Sequence, residues 1–104
     1  MTIQTTLVTN SATTVYTSTN NTAITYMELT NVSAGALTVD IHVIPSGDSL
    51  SNTNIIAKTL SIAATDSYQI YTGGEKLLLA NGDIIQVTAS AATGINAVVS
   101  FTAI

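Results

Sequence analysis

Along "LTVDIHVI", residues 37 to 44, apolar side chains recur at every second position. Leu37, Val39, Ile41 and Val43 fall on one side, and Thr38, Asp40, His42 and Ile44 on the other. Successive side chains of an extended chain point to opposite faces. The pattern therefore predicts a strand with one buried face and a solvated polar face carrying Asp40 and His42. The alternation recurs toward the C-terminus. Ile85, Val87 and Ala89 oppose Gln86 and Thr88, while Ile95, Ala97, Val99, Phe101 and Ala103 oppose Asn96, Ser100 and Thr102. A slip of one residue would turn either apolar set into water, so the register is specified. Two segments are mixed. In 23–31, Ile24 and Tyr26 oppose Met27 and Leu29, and 54–62 is likewise apolar on both faces. Such a strand is either central in a sandwich or covered on its outer face by a partner.

No window shows the sustained three-and-four spacing of an amphipathic helix, and threonine, valine and isoleucine dominate, which favours strands. Turn signals punctuate the chain at Asn20-Asn21, Ser33-Ala34-Gly35, Pro45-Ser46-Gly47-Asp48, Ser51-Asn52-Thr53-Asn54, Thr72-Gly73-Gly74, Asn81-Gly82-Asp83 and Thr93-Gly94. Between them lie eight strand candidates: 2–9, 13–18, 23–31, 36–45, 54–62, 67–72, 83–90 and 95–103. Residues 77–80 lead into the Asn81-Gly82 turn as a short strand or the end of one. The expected fold is all-β, an antiparallel sandwich of about eight strands, jelly-roll or immunoglobulin-like, in one domain over 1–104. In 1–10, Ile3 and Leu7 alternate with polar neighbours, which suits an interacting N-terminal arm or an edge strand.

Composition changes this picture at one point. Charged residues make up 8% of the 104, against about 25% in ordinary soluble domains. Lysine occurs only at Lys58 and Lys76, arginine is absent and the net charge is −4. A phosphate-backbone binder needs a basic surface, so nucleic acid is not an expected partner. Soluble β proteins commonly guard strand edges with charge, lysine above all. With so little available, edges and faces are expected to be covered by other subunits, in a small homo-oligomer with a trimer favoured. There is no cysteine, which excludes disulfides and thiolate metal sites. The opening MTIQTTLVTN lacks a basic stretch followed by an apolar one, so synthesis in a cytoplasm without a secretory leader is expected, and no membrane partner.

Candidate chemistry is thin. Asp40 and His42 could supply two metal ligands, with Glu28 from a neighbouring strand as a third. One histidine and no cysteine leave little to complete and orient such a site. A solvated strand face or a pH-sensitive subunit contact is the preferred reading. No G-x-S-x-G elbow is present, and Ser46 sits in an ordinary PSGD turn. Thr72 to Lys76 lacks the spacing of a phosphate loop. The sequons at Asn20-Asn21-Thr22 and Asn31-Val32-Ser33 are chance matches in a chain without a leader. A sugar platform would need Tyr16, Tyr26 or Tyr71 gathered on one exposed surface. Tyr68 and Tyr71 have opposite parity, and tyrosines anchoring core edges or interfaces are the simpler reading. No catalytic, cofactor-binding or metal site is expected.

The stretches "TTVYTSTNNTAITYMELTNVSAGALTVDIHVIP", "AKTLSIAATDSYQIYTGGEKLLLANGDIIQVTAS" and "NAVVSFTAI" together resemble small all-β virion proteins of tailed bacteriophages. The most specific matches are Val15-Tyr16-Thr17, Thr30-Asn31, Asp66-Ser67-Tyr68 and Leu79 to Ile84. The resemblance covers residues 13 to 104 and consists of strand pattern and turn residues. It implies a non-enzymatic structural protein of the virion that decorates the capsid and contacts the major capsid protein. The alternative place is the neck, tail or fibre attachment. No family active site exists to carry over. A carbohydrate- or host-surface-binding module is the reading from a different class.

Overall fold

The computed structural model describes residues 2–70 and 77–104. Among the described residues nine strands follow one another: β1 (Thr2–Val8), β2 (Thr13–Thr17), β3 (Thr22–Asn31), β4 (Leu37–Ile44), β5 (Ile55–Ile62), β6 (Ser67–Ile70), β7 (Leu77–Leu79), β8 (Ile84–Ala89) and β9 (Ile95–Ala103). No helix occurs among the described residues. The strands form two antiparallel sheets, β1-β9-β3-β6 with β7 also on β3, and β2-β8-β4-β5.

The pairing is that of one long ribbon rolled over itself. β4 pairs β5 at the ribbon's closed end, β3 pairs β6 and β7, β2 pairs β8, and β1 pairs β9. The roll is closed by β3 on β9 and β4 on β8. This is a jelly roll, the first of the two expected topologies. The ninth strand arises because β6 and β7 meet β3 in succession, at Met27–Thr30 and at Thr22–Ile24, as two pieces of one edge. Residues 71–72 of the strand expected over 67–72, and the turn at Thr72-Gly73-Gly74, lie outside the described residues.

The inner faces interleave Val8, Ile24, Met27, Leu29, Ile95 and Val99 from one sheet with Val15, Val39, Ile41, Ile85 and Val87 from the other, all fully buried. Each such side chain contributes roughly 1.5–3 kcal/mol of transfer free energy. At one end of this core the Tyr16 and Phe101 rings lie 4.4 Å apart, and the Tyr16 hydroxyl donates to Thr22 Oγ1 at 3.2 Å.

Both mixed segments owe their pattern to bulges. In β3 the register against β9 shifts between Ile24 and Tyr26. The extra residue lets Ile24 point inward together with Met27 and Leu29, although their spacing in a regular strand would oppose them. β3 is indeed central, between β9 and the β6–β7 edge. β5 is not central in its sheet. It is an edge strand with two register shifts against β4, opposite Asp40 and between Ile41 and His42.

Asn31 and Asp83 close turns. Asn31 is fully buried. Its amide donates to Gly35 O and Ile62 O, each at 2.9 Å, while its Oδ1 accepts from Ser33 N and Ser33 Oγ. Asp83 accepts from Ser46 N through Oδ1 and from Ala80 N through Oδ2. Gly82 takes φ +89 beside it, where a Cβ would lie 2.6 Å from Ser46 Oγ. Only glycine fits that approach without strain.

Candidate functional site

The proposed trio of ligands is dispersed. Asp40 and His42 lie on β4 in one sheet, and Glu28 lies on β3 in the other. Glu28 therefore does not come from a neighbouring strand. It pairs with Gln69 and Val98, whereas Asp40 pairs with Thr88 of β8. Among the described residues no three of His, Cys, Asp and Glu gather closely enough to hold a metal ion.

Asp40 has a structural partner. Its Oδ1 accepts the backbone N–H of Thr59 at 2.7 Å, and Thr59 sits at φ 52, in the left-handed region that threonine rarely adopts. The carboxylate thus holds the bulge of β5 in place.

His42 departs from the expected solvated face. It is 4% exposed, and Ile44 beside it on the same face is 2% exposed. In register His42 stands between Ile55 of β5 and Gln86 of β8, and Ile44 pairs with Ile84. The alternation of β4 is real, but this half of its outer face is covered. His42 Nδ1 is buried without a hydrogen-bond partner. The ring is packed, with neither a carboxylate nor a hydroxyl to orient it as a base.

Among the described residues the tyrosines do not assemble either. Tyr16 is 3% exposed and belongs to the core end described above. Tyr26 lies on the outer face of the β1-containing sheet, and Tyr71 lies outside the described residues. The Tyr26 hydroxyl donates to Glu28 Oε1 and accepts from Gln69 Nε2 at 3.3 Å. The hydrogen bond from Tyr26, then that from Ser67, holds the Glu28 carboxyl below its ordinary value. The same bond to Glu28 raises the Tyr26 phenol. This half-buried carboxylate is engaged by its neighbours on the strand face.

A groove of about 460 Å³ opens at the Tyr16–Phe101 end, lined by Thr2, Gln4, Thr17, Thr19 and Thr22 around the two rings. Its lining offers hydroxyls, one amide and aromatic edges, with no carboxylate, imidazole or amine. Of the sequons, Asn31 is shut inside the turn it clamps. No helix among the described residues is long and apolar enough to cross a membrane. Against family models, curated proteins and solved structures alike, the chain finds no match.

What the surface does present is apolar and hydroxyl-rich. On the outer face of the β1-containing sheet, Ile3 is 67% exposed and Leu7 52%, and both flank Thr5 on β1. Opposite them on β9 stand Ser100, Val98 and Asn96. Sequence reading marked Ile3 and Leu7 as an alternating pair. It gave residues 1–10 as an interacting N-terminal arm or an edge strand, and β1 stands at the edge of its sheet.

Proposed function

We propose that the chain is a non-enzymatic structural protein of a tailed-phage virion, of the kind that decorates and cements the capsid. The observation that carries this reading is the use to which its distinctive residues are put. Asn31, Asp40, Asp66 and Asp83 all hold turns or bulges. The outer face of the first sheet is built mostly of threonine, serine and aliphatic side chains, beside Asn96, Gln69 and a Glu28 carboxylate already engaged by Tyr26. Such a surface binds by shape and by excluded water, with few charges to desolvate. Copies joined to one another and to the major capsid protein gain strength through multivalency, each assembly engaging several lattice sites at once.

The test is immunogold labelling of particles purified from the producing lysate. Label spread over the heads supports decoration. Label confined to the neck, tail or fibres moves the protein to the alternative place on the virion. Full recovery of the protein in the particle-free supernatant overturns the virion reading.

A further inference from the structure

The sandwich has four strand edges among the described residues: β1 and the β6–β7 pair in one sheet, β2 and β5 in the other. An edge strand presents unpaired N–H and C=O groups, a template for any other strand. Native proteins blunt such edges by shortness, bulges or lysine. Three of the four are blunted in those ways. β2 has five residues and a register shift between Thr14 and Tyr16. Among the described residues β6 and β7 span four and three residues. β5 has two register shifts, a left-handed Thr59 and an exposed Lys58.

β1 has none of these devices. All seven of its residues, TIQTTLV, pair with β9 in one unbroken register, with no charge, proline or glycine. Its outward side chains are the exposed Ile3 and Leu7, with Thr5 between. We infer that this edge is an interface, and that its occupant is a second copy of the same chain. β1 of each copy pairs antiparallel with β1 of the other across a two-fold axis.

The pattern of the strand selects that occupant. An isologous contact requires residue i to meet residue j while j meets i. With the axis at Thr5, Ile3 faces Leu7 of the partner subunit, Leu7 faces Ile3 of the partner subunit, and Thr5 faces its own symmetry mate. Both apolar residues then form cross-strand pairs on one face, the arrangement that stabilises antiparallel strands. The two β1-containing sheets become one continuous sheet. A closed trimer would need β1 to meet a different edge, and every other edge is bulged or short. The inference concerns the chain in solution and holds whether or not it belongs to a virion.

The absence of cysteine makes the test clean. Thr5→Cys chains place two thiols on the axis, with Cα atoms about 4.5–5.5 Å apart, within disulfide reach. Under mild oxidant they should become covalent dimers at least tenfold faster than Ser61→Cys chains, whose thiol sits exposed on the β5 edge. Thr5→Lys, which sets two ammonium groups together at the axis, should give a monomer with an unchanged circular dichroism spectrum. Leu7→Lys should do the same independently, so that misfolding of one variant leaves the test standing. Equal cross-linking rates at Thr5 and Ser61 would overturn the inference. So would a trimer, or an oligomer whose mass neither lysine variant reduces.

Discussion

β1 and β5 are both edge strands, of similar length and similar aliphatic content, yet they face solvent in opposite ways. β5 is irregular. Asp40 on the neighbouring strand accepts the Thr59 amide and keeps the bulge at φ 52, while Lys58 stands exposed. β1 is regular from Thr2 to Val8, and its exposed positions carry Ile3 and Leu7. The difference is written partly in another strand. What guards β5 is a carboxylate on β4, in the stretch whose alternation reads most plainly. Edge character depends on bulges and charge as much as on apolar content, and hydrophobicity counted along one strand does not reveal it.

The first way to break the comparison is to loosen β5 from the other sheet. Asn31 on β3 donates to Ile62 O at the end of β5 and to Gly35 O. Asn31→Ala leaves those carbonyls and the Ser33 amide without their partner. It should cost about 3 kcal/mol in urea unfolding, the scale of several buried polar groups stranded at once. Next, Asp40→Ala removes the acceptor of the Thr59 amide and should cost about 1 kcal/mol. Its more telling consequence is faster hydrogen exchange at Thr59. Loss of solubility would follow if β5 straightens into an edge like β1.

A smaller change sharpens the same region. His42 stands against Ile55, where the second register shift of β5 occurs, and its Nδ1 is buried without a partner. His42→Leu removes that orphan atom at similar volume. It should leave stability within about 1 kcal/mol of the parent, on either side. A loss of several kcal/mol would mean that the imidazole holds something in place. Last comes the polar cluster beyond Val98. Because the Tyr26 hydrogen bond is the leading cause of the lowered Glu28 value, Tyr26→Phe should raise the Glu28 carboxyl toward its ordinary 4.5 in an NMR titration. The sign follows for stability. A carboxylate lowered by folding contributes above its unfolded value, and that small contribution fades as pH falls through the folded one. The raised Tyr26 phenol contributes below its ordinary 10.0 and loses its part as pH rises through the folded value. Substituting either partner should flatten both ends of the profile.

Strands and their faces were legible where the chain is regular. β4, β8 and β9 alternate as expected, and Ile85, Val87, Ile95, Ala97 and Val99 reach the core. Legibility failed where a bulge changes the count. β3 reads as mixed because an extra residue at Thr25 realigns Ile24 with Met27, and β5 reads as apolar on both faces because two bulges scatter its apolar residues. His42 was misplaced for another reason. Alternation within a strand says which face a residue takes, but not whether that face is covered. Asp83 was visible only as a turn residue, and Asn31 and Asp66 only within the stretches of the resemblance, since hydrogen bonds from Asn31 to Ile62 or from Ser46 to Asp83 span loops that no local pattern relates.

The most direct measurement is the solution mass of the unmodified protein across a concentration series, by light scattering after size exclusion. Self-pairing at β1 predicts a mass that rises to twice the 10.7 kDa of the chain and stops there. A single chain's mass at every concentration up to the millimolar range, or growth through a trimer, would contradict it.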